Sequence, residues 1–193
     1  LFTATLRRDG SAKFGINNRW GYFPSGSAAW RISSEEFMSG ASAWMDDLKF
    51  RVSYGITGNQ DIGNYKTLAI YGPWGYYYKE GDFYPQYAPT QNANPDLKWE
   101  RTSQFDVGLD YSFFNGRLRG TIEYYNKRTT DLLYDYDVPV PPYQYSSMMA
   151  NVGETSNTGF EVTIAGTPVI AGDFTWDASV NFARNRNMLV SMS

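Results

Sequence analysis

Apolar and polar residues alternate with a period of two through much of this chain, the spacing of a strand with two unlike faces. In Leu48 to Thr57 the even positions are apolar and the odd ones polar or small. The same alternation sets Phe105, Val107, Leu109, Tyr111 and Phe113 against Gln104, Asp106, Gly108, Asp110 and Ser112. It sets Leu118, Gly120, Ile122 and Tyr124 against Arg117, Arg119, Thr121 and Glu123. Phe160, Val162 and Ile164 repeat it, as do Phe174, Trp176, Ala178, Val180 and Phe182. Weaker forms occur at Phe2, Ala4 and Leu6, and at Trp20, Tyr22, Ala28, Trp30 and Ile32, where Pro24 and Gly26 interrupt the parity. The pattern predicts about seven strands.

The connections alternate in length. Asn115-Gly116 predicts a two-residue hairpin turn that accepts positive φ, and Pro168 to Gly172 predicts another tight reversal. Residues 9–18, 59–97 and 135–152 read as long loops, and Ser33-Ser34-Glu35-Glu36 as a capped short helix in a connection of intermediate length. The turn at Asn115-Gly116 fixes a register: Phe113 opposite Leu118, Leu109 opposite Ile122, Val107 opposite Tyr124, and Tyr111 covering Gly120. On the other face Asp110 falls opposite Thr121 and diagonal to Arg119.

Composition narrows the chemistry. The 193 residues contain no cysteine and no histidine. Disulfides, thiolate nucleophiles, a Ser-His-Asp triad and a His-based zinc site are thereby excluded, and no catalytic, metal or cofactor site is expected. Seventeen basic and 20 acidic residues leave a net charge of −3 with no basic patch, so nucleic acid is not an expected partner. The chain starts and stops in mid-pattern with no signal peptide, and reads as a piece of a longer protein.

Aromatic residues make up 18% of the chain, 16 of them Tyr and 6 Trp, beside 19% charged residues. No apolar run reaches the ~20 residues of a spanning helix, so any membrane crossing must use strands. The rings sit at strand ends: Trp20, Tyr22 and Trp30, then Phe105, Tyr111 and Phe113, then Phe174, Trp176 and Phe182. Strand middles carry Ala28, Val107, Leu109, Ile122, Ala178 and Val180. An aliphatic band between two aromatic girdles is the surface of an outer-membrane barrel, whose short turns face the periplasm and whose long loops face outside. Two fold readings follow. One is an antiparallel up-and-down transmembrane β-barrel of which residues 1–193 form a part; the other is a soluble secreted β-domain that binds carbohydrate through aromatic loop residues. A passive porin or adhesin barrel is a variant of the first.

Several stretches resemble the C-terminal barrel portion of SusC/RagA-type TonB-linked outer-membrane proteins. They are Arg7-Arg8-Asp9-Gly10-Ser11 with Phe14-Gly15, Trp20 to Ser25, Leu48 to Gln60, Asn94 to Glu100, Tyr124 to Leu133, Asn151-Val152-Gly153 with Asn157-Thr158-Gly159, and Phe174 to Asp177. Their order along the chain is that of the family. The resemblance implies about a third of a barrel of ~22 strands with a plugged lumen. It further implies the outer membrane of a Gram-negative, Bacteroidetes-like bacterium and import of a glycan or peptide. The implied partners are a SusD-like surface lipoprotein as lid and the TonB complex acting on a plug outside this sequence.

Two sets of residues are candidates for function. Trp74, Tyr76, Tyr77, Tyr78, Tyr84 and Tyr87 lie in the 59–97 loop, where rings with a polar edge can contact sugars or a partner protein, or can simply pack the loop. Tyr134, Tyr136, Tyr143 and Tyr145 pose the same choice in the next loop. Lys49, Arg51, Asp106, Asp110, Arg119 and Glu123 are expected on the lumen face. Asp135 with Asp137 and Asp46 with Asp47 lack the spacing of a calcium loop and read as solvated charge. Glu35 and Glu36 point apart on a helix and make no acid-base pair.

Overall fold

The computed structural model describes residues 1–192, which fold into eleven strands. These are β1 (Phe2–Gly10), β2 (Trp20–Arg31), β3 (Met45–Asn59), β4 (Tyr71–Lys79), β5 (Asp82–Pro89), β6 (Glu100–Phe113), β7 (Leu118–Thr130), β8 (Leu133–Asp137), β9 (Ser147–Asn151), β10 (Glu154–Ala171) and β11 (Phe174–Ser191). Seven form one antiparallel meander in the order β1-β2-β3-β6-β7-β10-β11. The other four make two separate hairpins, β4-β5 and β8-β9, inside the segments expected to be plain loops.

Successive antiparallel strands return the chain to alternate ends, and here the two longest connections share one end while the two tightest turns share the other. One end carries the 32–44 connection, the turn after β6 and the turn after β10. At the opposite end residues 11–19, 60–99 and 131–153 join their strands. The first short turn has the predicted register, with Phe113 opposite Leu118 and Tyr111 opposite Gly120. Phe114, Asn115 and Gly116 all have φ near +60° to +80°, one residue more than the two-residue turn required. Asp46 holds it, accepting backbone N–H bonds from Asn115 (3.1 Å) and Gly116 (2.9 Å). That carboxylate is therefore a turn anchor and not free solvated charge.

Three local expectations are corrected. The second reversal is the two-residue turn Gly172-Asp173, with Ala171 opposite Phe174; Pro168 lies inside β10 at a bulge between Gly166 and Val169, where a missing N–H costs no ladder bond. Ser33 to Glu36 belongs to two 3-10 turns, Ile32–Ser34 and Glu36–Ala41, and neither has a side-chain cap. Glu35 instead accepts the indole N–H of Trp30 at 2.8 Å. Finally, Asp110 does not reach Arg119, which donates to the Gly116 carbonyl at 3.2 Å.

Cross-strand rows make the apolar face continuous. Trp30, Phe50, Leu109, Ile122, Val162 and Phe182 stand side by side across six strands, and Ala28, Val52, Val107, Tyr124 and Phe160 form the next row. Rings gather at its two margins: Trp44, Phe113 and Tyr111 stack at 5.5–5.6 Å near the short turns, and Trp20, Tyr22, Tyr54 and Phe105 lie toward the long connections. This face is exposed, and the buried apolar core lies elsewhere, in Phe14, Phe23, Ile62, Leu97 and Trp99.

That core fills a gap. The β2-β3 pairing ends at Ser25 opposite Gly55, while both strands continue, so their ends part. Phe23 and Trp99 meet over Gly58 of β3, where an added Cβ would lie within 3 Å of both rings. Phe14 and Leu97 close over them, with ring centroids of Phe14 and Trp99 5.3 Å apart. Asparagines tie the long connections together. Asn151 donates to the carbonyls of Lys98 (2.8 Å) and Asp131 (2.9 Å) and accepts from the Lys98 N–H (2.9 Å). Asn94 donates to Met149, and Asn92 to Tyr145 and Ser147. A primary amide carries donor and acceptor together, so each asparagine substitutes for a missing strand partner.

Candidate functional site

The polar face of the sheet holds all six charged candidates. Lys49 and Arg51 alternate with the apolar positions of β3, Asp106 and Asp110 with those of β6, and Arg119 and Glu123 with those of β7. Five of them sit in two linked groups. Arg51 binds Asp110 through two bonds of 2.9 Å, Nε to Oδ2 and Nη2 to Oδ1, and reaches Glu123 at 2.5 Å. Lys49 approaches Asp110 at 3.9 Å, and Asp106 accepts from Ser53 and Gln104 at 3.1 and 2.7 Å. Arg119 stands apart at the short turn.

One glycine makes the arginine bridge possible. Gly108 is opposite Arg51 on one side and Glu123 on the other, so the guanidinium must cross β6 to reach Glu123. A Cβ at Gly108 would lie 2.9 Å from Nη2 of Arg51. The guanidinium lies flat where that side chain would be, joining three strands in one row. Sequence reasoning missed this link; its signal was a lone glycine at a polar-face position between two charged ones.

The aromatic candidates share the β4-β5 hairpin. Its tip is Glu80-Gly81, both at positive φ, and its neck is closed where Thr90 donates its N–H to the Ile70 carbonyl at 2.8 Å. Tyr76 faces Pro85, Tyr78 faces Phe83 and Pro73 faces Tyr87 across the ladder. These six residues lie on one side, where Tyr76 and Phe83 are each 73% exposed. Tyr77 and Tyr84 stack on the reverse side, centroids 5.6 Å apart, and are less exposed than the open face, at 46% and 41%. Trp74 is the extra residue of a bulge between Pro73 and Gly75 and is 70% exposed. Phe83, absent from the candidate set, completes the open face. Of the second loop's tyrosines, Tyr145 is committed to structure, donating to the Pro89 carbonyl, whereas Tyr134 and Tyr136 ride on β8.

Residues 1–190 match the family described as TonB dependent receptor-like, beta-barrel. The chain belongs to that family. It is 42% identical over its whole length to TonB-dependent receptor P39 of Formosa agariphila and 39% identical to TonB-dependent receptor SusC of Bacteroides thetaiotaomicron. Among solved structures it is similar to the RagAB peptide importer in the open-open state, with a TM-score of 0.88 and 34% identity over 99% of the chain. The chain spans 18–19% of the length of these curated receptors and 20% of that solved chain. The seven-stranded meander is accordingly a stretch of receptor barrel wall.

Proposed function

We propose that this receptor segment is part of an outer-membrane importer for a bulky nutrient, an oligosaccharide or a peptide. The observation that carries the reading is the placement of the connections: the two tightest turns, after β6 and β10, lie at one end and the two longest, 60–99 and 131–153, are packed on each other at the opposite end, with an exposed apolar face between. Such a sheet crosses a bilayer with its long connections outside. The face bearing Arg51, Asp106, Asp110 and Glu123 then lines the lumen, where charge stays hydrated. The exposed side of the hairpin, with Tyr76, Tyr78, Phe83 and Tyr87, projects beyond the membrane and contacts nutrient or a SusD-like lipoprotein lid. Rigid rings with a polar edge suit either surface. Energy for uptake comes from the TonB complex acting on the plug of the full-length receptor.

Trypsin applied to intact cells making the full-length protein tests this arrangement. Lys79, at the hairpin tip, is expected to be cut without lysis, whereas Arg117, at the short turn, is expected to be cut only after lysis. Cutting at Arg117 on intact cells, or protection of Lys79 on both intact and lysed cells, would overturn the topology. Serine at Tyr76, Tyr78 and Phe83 together is expected to lower uptake of labelled oligosaccharides or peptides with the barrel still assembled. Unchanged uptake of both would remove the hairpin from the function.

A further inference from the structure

The apolar face does not stay apolar to its outer margin. Along β11 its sequence is Phe174, Trp176, Ala178, Val180, Phe182, and then Arg184 and Arg186. Register places Arg184 opposite Phe160 and Arg186 opposite Thr158, with Tyr124 beyond Phe160 and Ser156 one step above Thr158 on the same side. Both arginines lie on β11, an edge strand of the sheet, and among the described residues neither is ion-paired to its neighbours on β10 and β7. Tyr124, Ser156, Thr158, Phe160, Arg184 and Arg186 line one open groove. Arg128 borders it and is already occupied, binding Glu154 at 2.6 and 2.9 Å.

From these residues we infer that the outside of the barrel carries a site for a phosphorylated lipid of the outer leaflet. Depth is the first support, and it rests on the membrane-spanning reading above. Arg184 and Arg186 stand six and eight residues beyond Ala178, the centre of the apolar stretch Phe174 to Phe182. At ~3.3 Å per residue and a tilt of about 40°, that is roughly 15–20 Å from the middle, just past the edge of an apolar band ~25 Å tall. Headgroups lie at that level. Two guanidinium groups two residues apart give forked donors for phosphate oxygens, and Ser156 and Thr158 add hydroxyl donors beside them. Below, Tyr124 and Phe160 form a floor that leads into Val162, Ile164 and Val180, a surface for acyl chains. Cationic fork, aromatic step and aliphatic slope follow the order of phosphate, glycerol or sugar, and acyl chain in a membrane lipid.

The test uses the full-length receptor purified in detergent and two lipids with identical acyl chains, one carrying phosphate and one dephosphorylated. Native mass spectrometry or a fluorescence titration reads binding. The expected result is retention of the phosphorylated lipid, with affinity at least roughly tenfold above the dephosphorylated one and a similar loss in the Arg184→Gln, Arg186→Gln double variant. Equal binding of both lipids by the unmodified receptor would overturn the site while leaving the barrel intact. So would full competition by millimolar inorganic phosphate, which would mark a free-anion site. A receptor recovered in the aqueous fraction without detergent would instead defeat the membrane reading itself. Should the double variant fail to assemble, the comparison of the two lipids on the unmodified receptor still decides.

Discussion

Two aromatic regions at the same end of the molecule treat their rings in opposite ways. Around Gly58, Phe14, Phe23 and Trp99 are buried against Leu97 and tied down by asparagine amides. In the β4-β5 hairpin, Tyr76, Tyr78 and Phe83 are open along one side. The difference comes from what the backbone offers. Parted strand ends leave a gap that only side chains can fill, whereas a paired hairpin satisfies its own backbone and needs no rings for support. Equal ring content thus marks a buried core in one place and an exposed surface in the other.

Substitutions should split along that line. Trp99→Ala removes a ring that is 7% exposed and leaves a void beside Phe14 and Phe23. We expect a loss of about 3–5 kcal/mol, read as a lower heat-unfolding midpoint and faster proteolysis of the outer connections. Asn151→Ala strands two carbonyls and one N–H between Lys98 and Asp131, and should cost about 1–3 kcal/mol in the same assay. Gly108→Ala should cost less, about 1 kcal/mol or below, since the Arg51 network is half-exposed. Its signature is separation of Arg51 from Glu123 in a solved structure of the variant. Smallest of all, Tyr76→Ser should change stability by no more than about 0.5 kcal/mol and act on uptake alone. A hairpin variant as damaging as Trp99→Ala would erase the contrast between the two regions.

How far the sequence revealed this depends on where side chains alternate. The β6-β7 register could be read from Asn115-Gly116 because a tight turn pairs every following residue with its mirror position. The hairpin strands could not: Tyr76, Tyr77 and Tyr78 put rings on both sides, and the bulge at Trp74 shifts the parity. The outer half of β11 was hidden for a related reason, as Arg184 and Arg186 occupy positions that read as apolar farther along. Register also fixes which residues are neighbours and not how far a side chain reaches. Arg119 is the diagonal neighbour of Asp110, yet Arg51 takes it by lying across Gly108. The motif Asn94 to Glu100 was visible as a family trait, but its role as core and clamp emerges only when Leu97, Trp99 and Asn151 are brought together.

The narrow neck at Ile70 and Thr90 separates inheritance of the scaffold from inheritance of what it touches. Everything beyond it, residues 71–89, is a cassette that enters and leaves at one point and pairs mainly with itself. On the importer proposal, lengthening it or replacing its rings changes what it meets outside the membrane while the clamp beneath is preserved. On that same proposal, a lineage that changes its diet rewrites this insert without relearning how to build the wall.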